Sequence, residues 1–249
     1  MTPVASRVHW HSIALTDTGH VRKLNEDAFM SRNDIGHWLV ADGMGGHEAG
    51  DVASQLVAKE LATLEIGDDF SNFVDRLEDK LLGANLSLRE MAGGKEKIIG
   101  TTVAGLVLHQ NHFLIYWVGD SRIYLYRDGE LKQQSIDHTY TQHLVETGKI
   151  RQEEVRDHPD NNIITRAVGA ADQLYIDFNM RRSKPGDLFL ICSDGLDKEL
   201  LDSEIQYFLE APALSIEQKA QNMLQKSLQR AGRDNTTIIL VQLEDNPNS

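Results

Sequence analysis

The chain has 249 residues, 38 acidic and 25 basic, for a formal net charge of −13, and 41% of it is apolar; such a length supports a sizeable core and excludes global disorder. The negative balance argues against a nucleic-acid partner, which needs clustered Lys and Arg. A single cysteine, Cys192, excludes an internal disulfide, residues 1–15 carry Arg7, His9 and His11 where a signal peptide needs an apolar run, and no stretch approaches the roughly 18 to 20 apolar residues of a membrane helix, so a cytoplasmic protein that does not enter the membrane is expected.

Strand-like segments open the chain at Val8 to Leu15, Ala28 to Ser31 and His37 to Ala41, the last running into Asp42-Gly43-Met44-Gly45-Gly46. Glycine density after a strand marks a tightly bent backbone. Apolar residues then recur at three- and four-residue steps from Ala49 to Leu64 and from Phe70 to Leu88, which predicts two amphipathic helices, the second stopped by Gly93-Gly94.

From Gly100 to Gln134 the pattern changes to β-branched and aromatic runs (Thr101 to Leu108, Phe113 to Val118, Ile123 to Tyr126), with Asp128-Gly129 as a two-residue hairpin signal. An antiparallel meander is expected there. Residues 140–168 are polar and broken by Gly148 and Pro159, which reads as a surface subdomain over the sheet. Strands follow at Leu174 to Met180 and Asp187 to Cys192. Ser215 with Gln218 forms a capping-box start for a helix with the stripe Ala220, Met223, Leu224, Leu228 and Ala231, ended by Gly232, and Thr236 to Leu243 is a closing strand. Hairpin strands grouped apart from paired helices predict an α+β layered domain. It spans 1–243 as one unit with a polar tail at 244–249.

Four aspartates share one context at the edge of an apolar strand: Asp42, Asp120, Asp194 and Asp234. One such residue alone is an Asx-turn. Four carboxylates brought together from distant strands would repel one another, and a bound cation relieves that. Oxygen-only ligands suit Mg²⁺ or Mn²⁺ over Zn²⁺, and the ten histidines, which show no metal-ligand spacing, are expected mostly on the surface. In Arg22-Lys23-Leu24-Asn25-Glu26-Asp27, a solvated turn with a weak ion pair competes with an anion-binding Arg beside a metal-supporting Glu.

Together the motifs resemble those of the metal-dependent protein phosphatases, the type 2C serine/threonine family, in its compact bacterial form. They are Thr18-Gly19 with Arg22, Asn25-Glu26-Asp27, Asp42-Gly43-Met44-Gly45-Gly46-His47, Ala49-Gly50, Gly100-Thr101-Thr102 and Gly119-Asp120-Ser121-Arg122. Asp137-His138, Asn162 to Arg166 with Gly169, Ser193-Asp194-Gly195-Leu196 and Asp234-Asn235 complete the series. Ordered motifs over nearly the whole chain make a specific signal.

The resemblance implies a four-layer αββα sandwich, two antiparallel sheets face to face with helices outside, and hydrolysis of phosphoserine and phosphothreonine in proteins by direct attack of a hydroxide bridging two metal ions. Asp42 would bridge two ions of Mn²⁺ or Mg²⁺, the Gly43 carbonyl and a water held by Glu26 would serve one, and Asp194 and Asp234 the other. Arg22 would hold the phosphate. Asp120, with Asp194, matches a third, weaker metal position, and residues 140–168 match a mobile flap. Met44 stands where eukaryotic members often carry a His that is a candidate general acid. A monomer opposing a cognate serine/threonine kinase is expected, and the compact form also resembles phosphatases encoded with type VI secretion systems. The alternatives are a silent signalling module of the same fold and a small-phosphoester metal hydrolase.

Overall fold

The computed structural model describes residues 9–45, 49–67, 69–93 and 97–244; Val8, Gly46-His47, Gly94 and the tail at 245–249 lie outside them. In chain order the elements are β1 (His9–Asp17), β2 (Asp27–Arg32), β3 (His37–Met44), α1 (Ala49–Ala62), α2 (Phe70–Ala92), β4 (Gly100–Thr101), β5 (Val103–His109), β6 (His112–Val118), β7 (Arg122–Arg127) and β8 (Glu130–Gln133). They continue with α3 (Tyr140–Glu146), β9 (Asp177–Arg182), β10 (Leu188–Cys192), α4 (Asp194–Asp197), α5 (Asp202–Glu210), α6 (Ile216–Arg230) and β11 (Thr236–Glu244).

The strands form two antiparallel sheets, one ordered β1-β11-β10-β7-β8 and the other β2-β3-β5-β6-β9, with β4 paired to β3. Three apolar layers explain their stacking. Along β6, Phe113, Ile115 and Trp117 enter the core between the sheets, while Leu114, Tyr116 and Val118 face α1 and α2. Along β11, Ile239, Val241 and Leu243 point inward while Ile238 and Leu240 meet α4, α5 and α6. Side chains alternate across a strand, so runs that are apolar at every position are strands buried on both faces. The result is the expected α+β sandwich of four layers.

The ends of the elements follow their local chemistry. Asp69 caps α2 by accepting the Ser71 and Asn72 N–H groups, and Gly93 closes it in the left-handed region at φ 67°. Asp128 and Gly129 both have positive φ, 54° and 83°, as a two-residue hairpin between β7 and β8 requires. The Ser215–Gln218 capping box starts α6 as predicted.

Three expectations need correction. The segment after β6 does not continue a meander in the same sheet: β7 pairs with β10 in the opposite sheet. The strand expected at 174–180 is found at Asp177–Arg182, where it pairs with β6, because Leu174 and Ile176 are apolar for packing beside α1 and α2 and not for a ladder. Helix α5, anchored by Ile205 and Leu209, was not foreseen. Among the described residues no helix is long and apolar enough to cross a membrane.

Candidate functional site

Antiparallel pairing brings the same end of many strands together. Asp27 at the start of β2 lies opposite Asp42 near the end of β3, Cys192 at the end of β10 lies between Arg122 and Ile238, and Asp17 ends opposite Thr236. The turns at this end carry the predicted residues. Arg22, Glu26, Asp42, Gly43, Asp194 and Asp234 all line one cavity of about 850 Å³. Asp120 lines an adjoining cavity of about 450 Å³, to which Asp194 also contributes.

Backbone contacts fix the floor. The Asp42 N–H donates to Thr102 Oγ1 at 3.0 Å, and its carbonyl accepts from the Thr102 N–H at 2.9 Å and Thr101 Oγ1 at 3.0 Å. Gly43 donates to the Glu26 carbonyl at 3.1 Å. A Cβ on Gly43 would overlap the Gly50 carbonyl, and one on Gly50 would strike the Glu26 carboxylate, so both glycines are needed for the start of α1 to approach Glu26.

Two motifs without a sequence-level role acquire one. Asp137 makes a bidentate pair with Arg122, while His138 Nδ1 accepts the Gly119 N–H at 3.0 Å and its Nε2 faces Asp177 at 3.0 Å. This braces the turn that presents Asp120. Val168 exchanges two backbone bonds of 2.9 Å with Thr101, and Gly169 donates to Asn85 Oδ1 at 2.7 Å. Of the described histidines only His37 and His138 are buried, and neither lines the two cavities.

Asp27, quoted in a motif but given no role, is buried beneath the site. Its Oδ2 accepts from Ser193 Oγ and Thr237 Oγ1, both at 2.7 Å, which ties β2 of one sheet to β11 of the other and to the turn between β10 and α4. Burial lifts its carboxyl to about 7 despite those hydroxyls. Asp42 is held well above the carboxylate range first by burial and then by the charges of Asp27, Asp194, Asp120 and Asp234. Asp120 is raised likewise, by burial and then by Asp194.

These groups fit divalent metal. Glu26 Oε1, Asp27 Oδ1, Asp120 Oδ1 and Asp194 Oδ1 are buried with no hydrogen-bond partner, an arrangement that costs free energy unless a cation compensates it. The donor set is entirely oxygen, as hard ions prefer. Among the described residues no three acidic or histidine side chains are already drawn into a closed chelating cluster. Two carboxylates are engaged by side-chain cations: Arg22 Nη2 donates to Asp234 Oδ2 at 2.8 Å, and Lys198 Nζ to Asp194 Oδ2. Arg22 thus reaches 212 residues along the chain and not to a neighbour in its own turn.

The Protein phosphatase 2C family model matches residues 18–232. The serine/threonine protein phosphatase PstP of Mycobacterium tuberculosis is 34% identical over 234 residues, 93% of this chain and 45% of that protein, so the chain spans about half the length of this relative. The structure described as PppA, a key regulatory component of the type VI secretion system in Pseudomonas aeruginosa, superposes with a TM-score of 0.85 at 35% identity, covering 94% of this chain and 98% of that one. The catalytic domain of a PstP in complex with two manganese ions gives a TM-score of 0.83 at 33% identity, with 96% and 99% covered.

Proposed function

The chain belongs to the protein phosphatase 2C family, and on that premise we propose that it hydrolyses phosphoserine and phosphothreonine in proteins with Mn²⁺ or Mg²⁺. The observation that carries this reading is a set of unpartnered buried carboxylate oxygens: those of Glu26 and Asp194, which line the cavity that also holds Arg22, that of Asp27 beneath it and that of Asp120 in the adjoining cavity. In this reading Asp42, Asp194, Asp234, the Gly43 carbonyl and Glu26 hold the core pair of ions, and Asp120 with Asp194 serves a third. The relative crystallised with two manganese ions supports the pair.

Bound there, the ions would act as Lewis acids that make water nucleophilic near neutral pH and screen the phosphoryl oxygens. The chain's own residues do the rest. Arg22 turns its planar fork from Asp234 toward the phosphate, a geometry that suits two oxygens at once. Asp42, whose backbone is fixed through Thr101 and Thr102, presents its carboxylate from an ordered strand end. Among the described residues that line the larger cavity none is Ser, Thr or Cys, and Cys192 is fully buried with its thiol pushed well up by burial, so no side-chain hydroxyl or thiol described there is placed to take the phosphoryl group, and attack by water is the step we assign. Residues 140–168 act as a flap that contributes Arg156, Asn161 and Ile164 to the rim. We assign the substrates to phosphoproteins written by a cognate serine/threonine kinase, with the chain acting as a cytoplasmic monomer.

The test is turnover of a phosphothreonine peptide by metal-depleted protein with and without added Mn²⁺ or Mg²⁺. Activity should require the ion and be lost in Asp42→Asn. Full activity in protein shown by elemental analysis to lack divalent metal would overturn the reading.

A further inference from the structure

Lys198 follows α4 by one residue, so it lies four positions after Asp194. That spacing returns a side chain over its own turn. Its ammonium bonds Asp194 Oδ2, and the charges it senses are, against the opposing effect of burial, those of Asp194, Asp120 and Asp197, which hold it charged above the ordinary lysine range. All three carboxylates line the smaller cavity, and Lys198 lines it with them.

The lysine is anchored from its backbone on both sides. Its N–H donates to the Asp194 carbonyl at 2.9 Å, and its carbonyl accepts Arg156 Nη2 at 2.7 Å. Its side chain keeps 35% exposure, so the stem has a path to swing the head into solvent. Around it, Asp120 Oδ1, Asp194 Oδ1 and Asp197 Oδ1 are buried without partners. Asp197 has Arg122 Nη1 at 3.1 Å, and Arg122 is shared with Asp137. Arg122 and Lys198 pair with Asp137, Asp197 and Asp194, while the Arg156 guanidinium of the same cavity donates to backbone carbonyls and not to these carboxylates.

We propose that Lys198 is a tethered counter-cation of the Asp120–Asp194–Asp197 pocket, competing with a divalent ion there and weakening that position more than the core pair, which shares only Asp194 with it and keeps Asp42 and Asp234. Asp197 is then a further ligand of the contested position. The proposal rests on the metal-dependent reading given above. A tethered ammonium needs no encounter with its pocket, so a free ion must displace it from a high effective concentration, and the displacement also costs the pocket one of its charge partners.

The experiment counts Mn²⁺ bound per chain by calorimetry and by electron paramagnetic resonance, and measures melting in chelator and in Mn²⁺, for wild type, Lys198→Met and Lys198→Arg. Lys198→Met should melt below wild type in chelator, recover in Mn²⁺, and bind a third ion roughly five- to tenfold more tightly, as expected for removal of one partly exposed competing charge. Lys198→Arg should keep the weak third position. The gain should vanish in Lys198→Met combined with Asp120→Asn. Unchanged third-ion affinity in Lys198→Met, or a melting loss equal with and without Mn²⁺, would overturn the proposal and leave Lys198 a structural ion pair. Binding of two tight ions in every variant would keep the metal-dependent reading standing in that case, whereas no Mn²⁺ bound by any of them would sink both.

Discussion

The side-chain carbonyl of Asn235 accepts the backbone N–H of Glu26 at 2.8 Å, across 209 residues of sequence. The same amide donates to the carbonyls of Thr18 and Leu24 at 2.9 and 3.0 Å. One buried asparagine thereby folds the loop that carries Arg22 and Glu26 onto the turn that carries Asp234. Asn235→Ala would strand one backbone donor and two acceptors, costing about 1–3 kcal/mol. Calorimetric melting should record that loss, and Mn²⁺ affinity should fall with it because Glu26 is no longer fixed. Wild-type metal affinity in a destabilised variant would make Asn235 a folding residue only.

Much of this was readable from sequence because strand-end chemistry is local. Asp42, Asp194 and Asp234 stand beside glycine or a turn residue, and a strand that ends or begins beside such a pair announces where its carboxylate goes. The glycine-rich run after β3 likewise reports a close approach, which proves to be that of α1. Lys198 carried no such signal. Its neighbours in sequence are ordinary helix-turn residues, and only the single turn of α4 folds its ammonium over Asp194. Asp27 was hidden for another reason: its partners Ser193 and Thr237 lie 166 and 210 residues away, on the turn after β10 and on β11 of the other sheet. The move of β7 into the opposite sheet was illegible too, since a short polar turn after Val118 is compatible with a hairpin or with a crossing.

Arg22 is half-exposed in its pair with Asp234, at 49% against 26% for the aspartate. An ion pair so exposed contributes at most about 1 kcal/mol, so Arg22→Ala should melt within a few degrees of wild type. Its kcat/KM for a phosphopeptide should nevertheless fall by about a hundredfold, the scale of removing one charge-stabilising donor. Calorimetry should find the core metal affinity no weaker than wild type, since Arg22 holds an oxygen of Asp234 and not an ion. Unaltered kcat/KM would return Arg22 to the solvated turn.

His37 lies fully buried between β3 and α2, with Nε2 at 2.7 Å from the Tyr116 hydroxyl and Nδ1 unpartnered. Burial first, and then the charge of Arg32, lowers it to about 3. The folded state thus refuses a proton that the unfolded chain accepts near its ordinary 6.5. The unfolded state binds more protons between those values, so the stability contribution is whole above pH 6.5 and is lost as the pH falls from 6.5 toward 3, at up to about 1.4 kcal/mol per pH unit. Denaturant titrations of wild type and His37→Gln over that window should differ by about one proton in slope. Parallel curves would mean that His37 is charged in the fold.

Arg156 reaches from the polar segment after α3 to the carbonyls of Lys198 and Leu200, at 2.7 and 3.4 Å, and its own carbonyl accepts Asn161 Nδ2 at 2.7 Å. Those carbonyls follow α4, the helix that begins with Asp194. A single side chain therefore fastens the rim of the larger cavity to the backbone beside a proposed metal ligand. Few apolar side chains assist it, since of residues 151–164 none is fully buried, and segments so sparsely packed open at low free-energy cost. Arg156→Ala should raise amide hydrogen exchange across 152–164 while β10 and β11 keep their protection. The kinetic effect should depend on substrate size. A phosphoprotein must meet the rim as well as the floor, so its kcat/KM should fall several-fold more than that of p-nitrophenyl phosphate, which needs only the floor. Arg156→Lys keeps the charge but not the forked donors, and should resemble the alanine variant. If exchange rises and both substrates decline equally, Arg156 acts through α4 on the reaction centre and not through recognition at the rim; if exchange stays at the wild-type rate, the anchoring account itself is wrong.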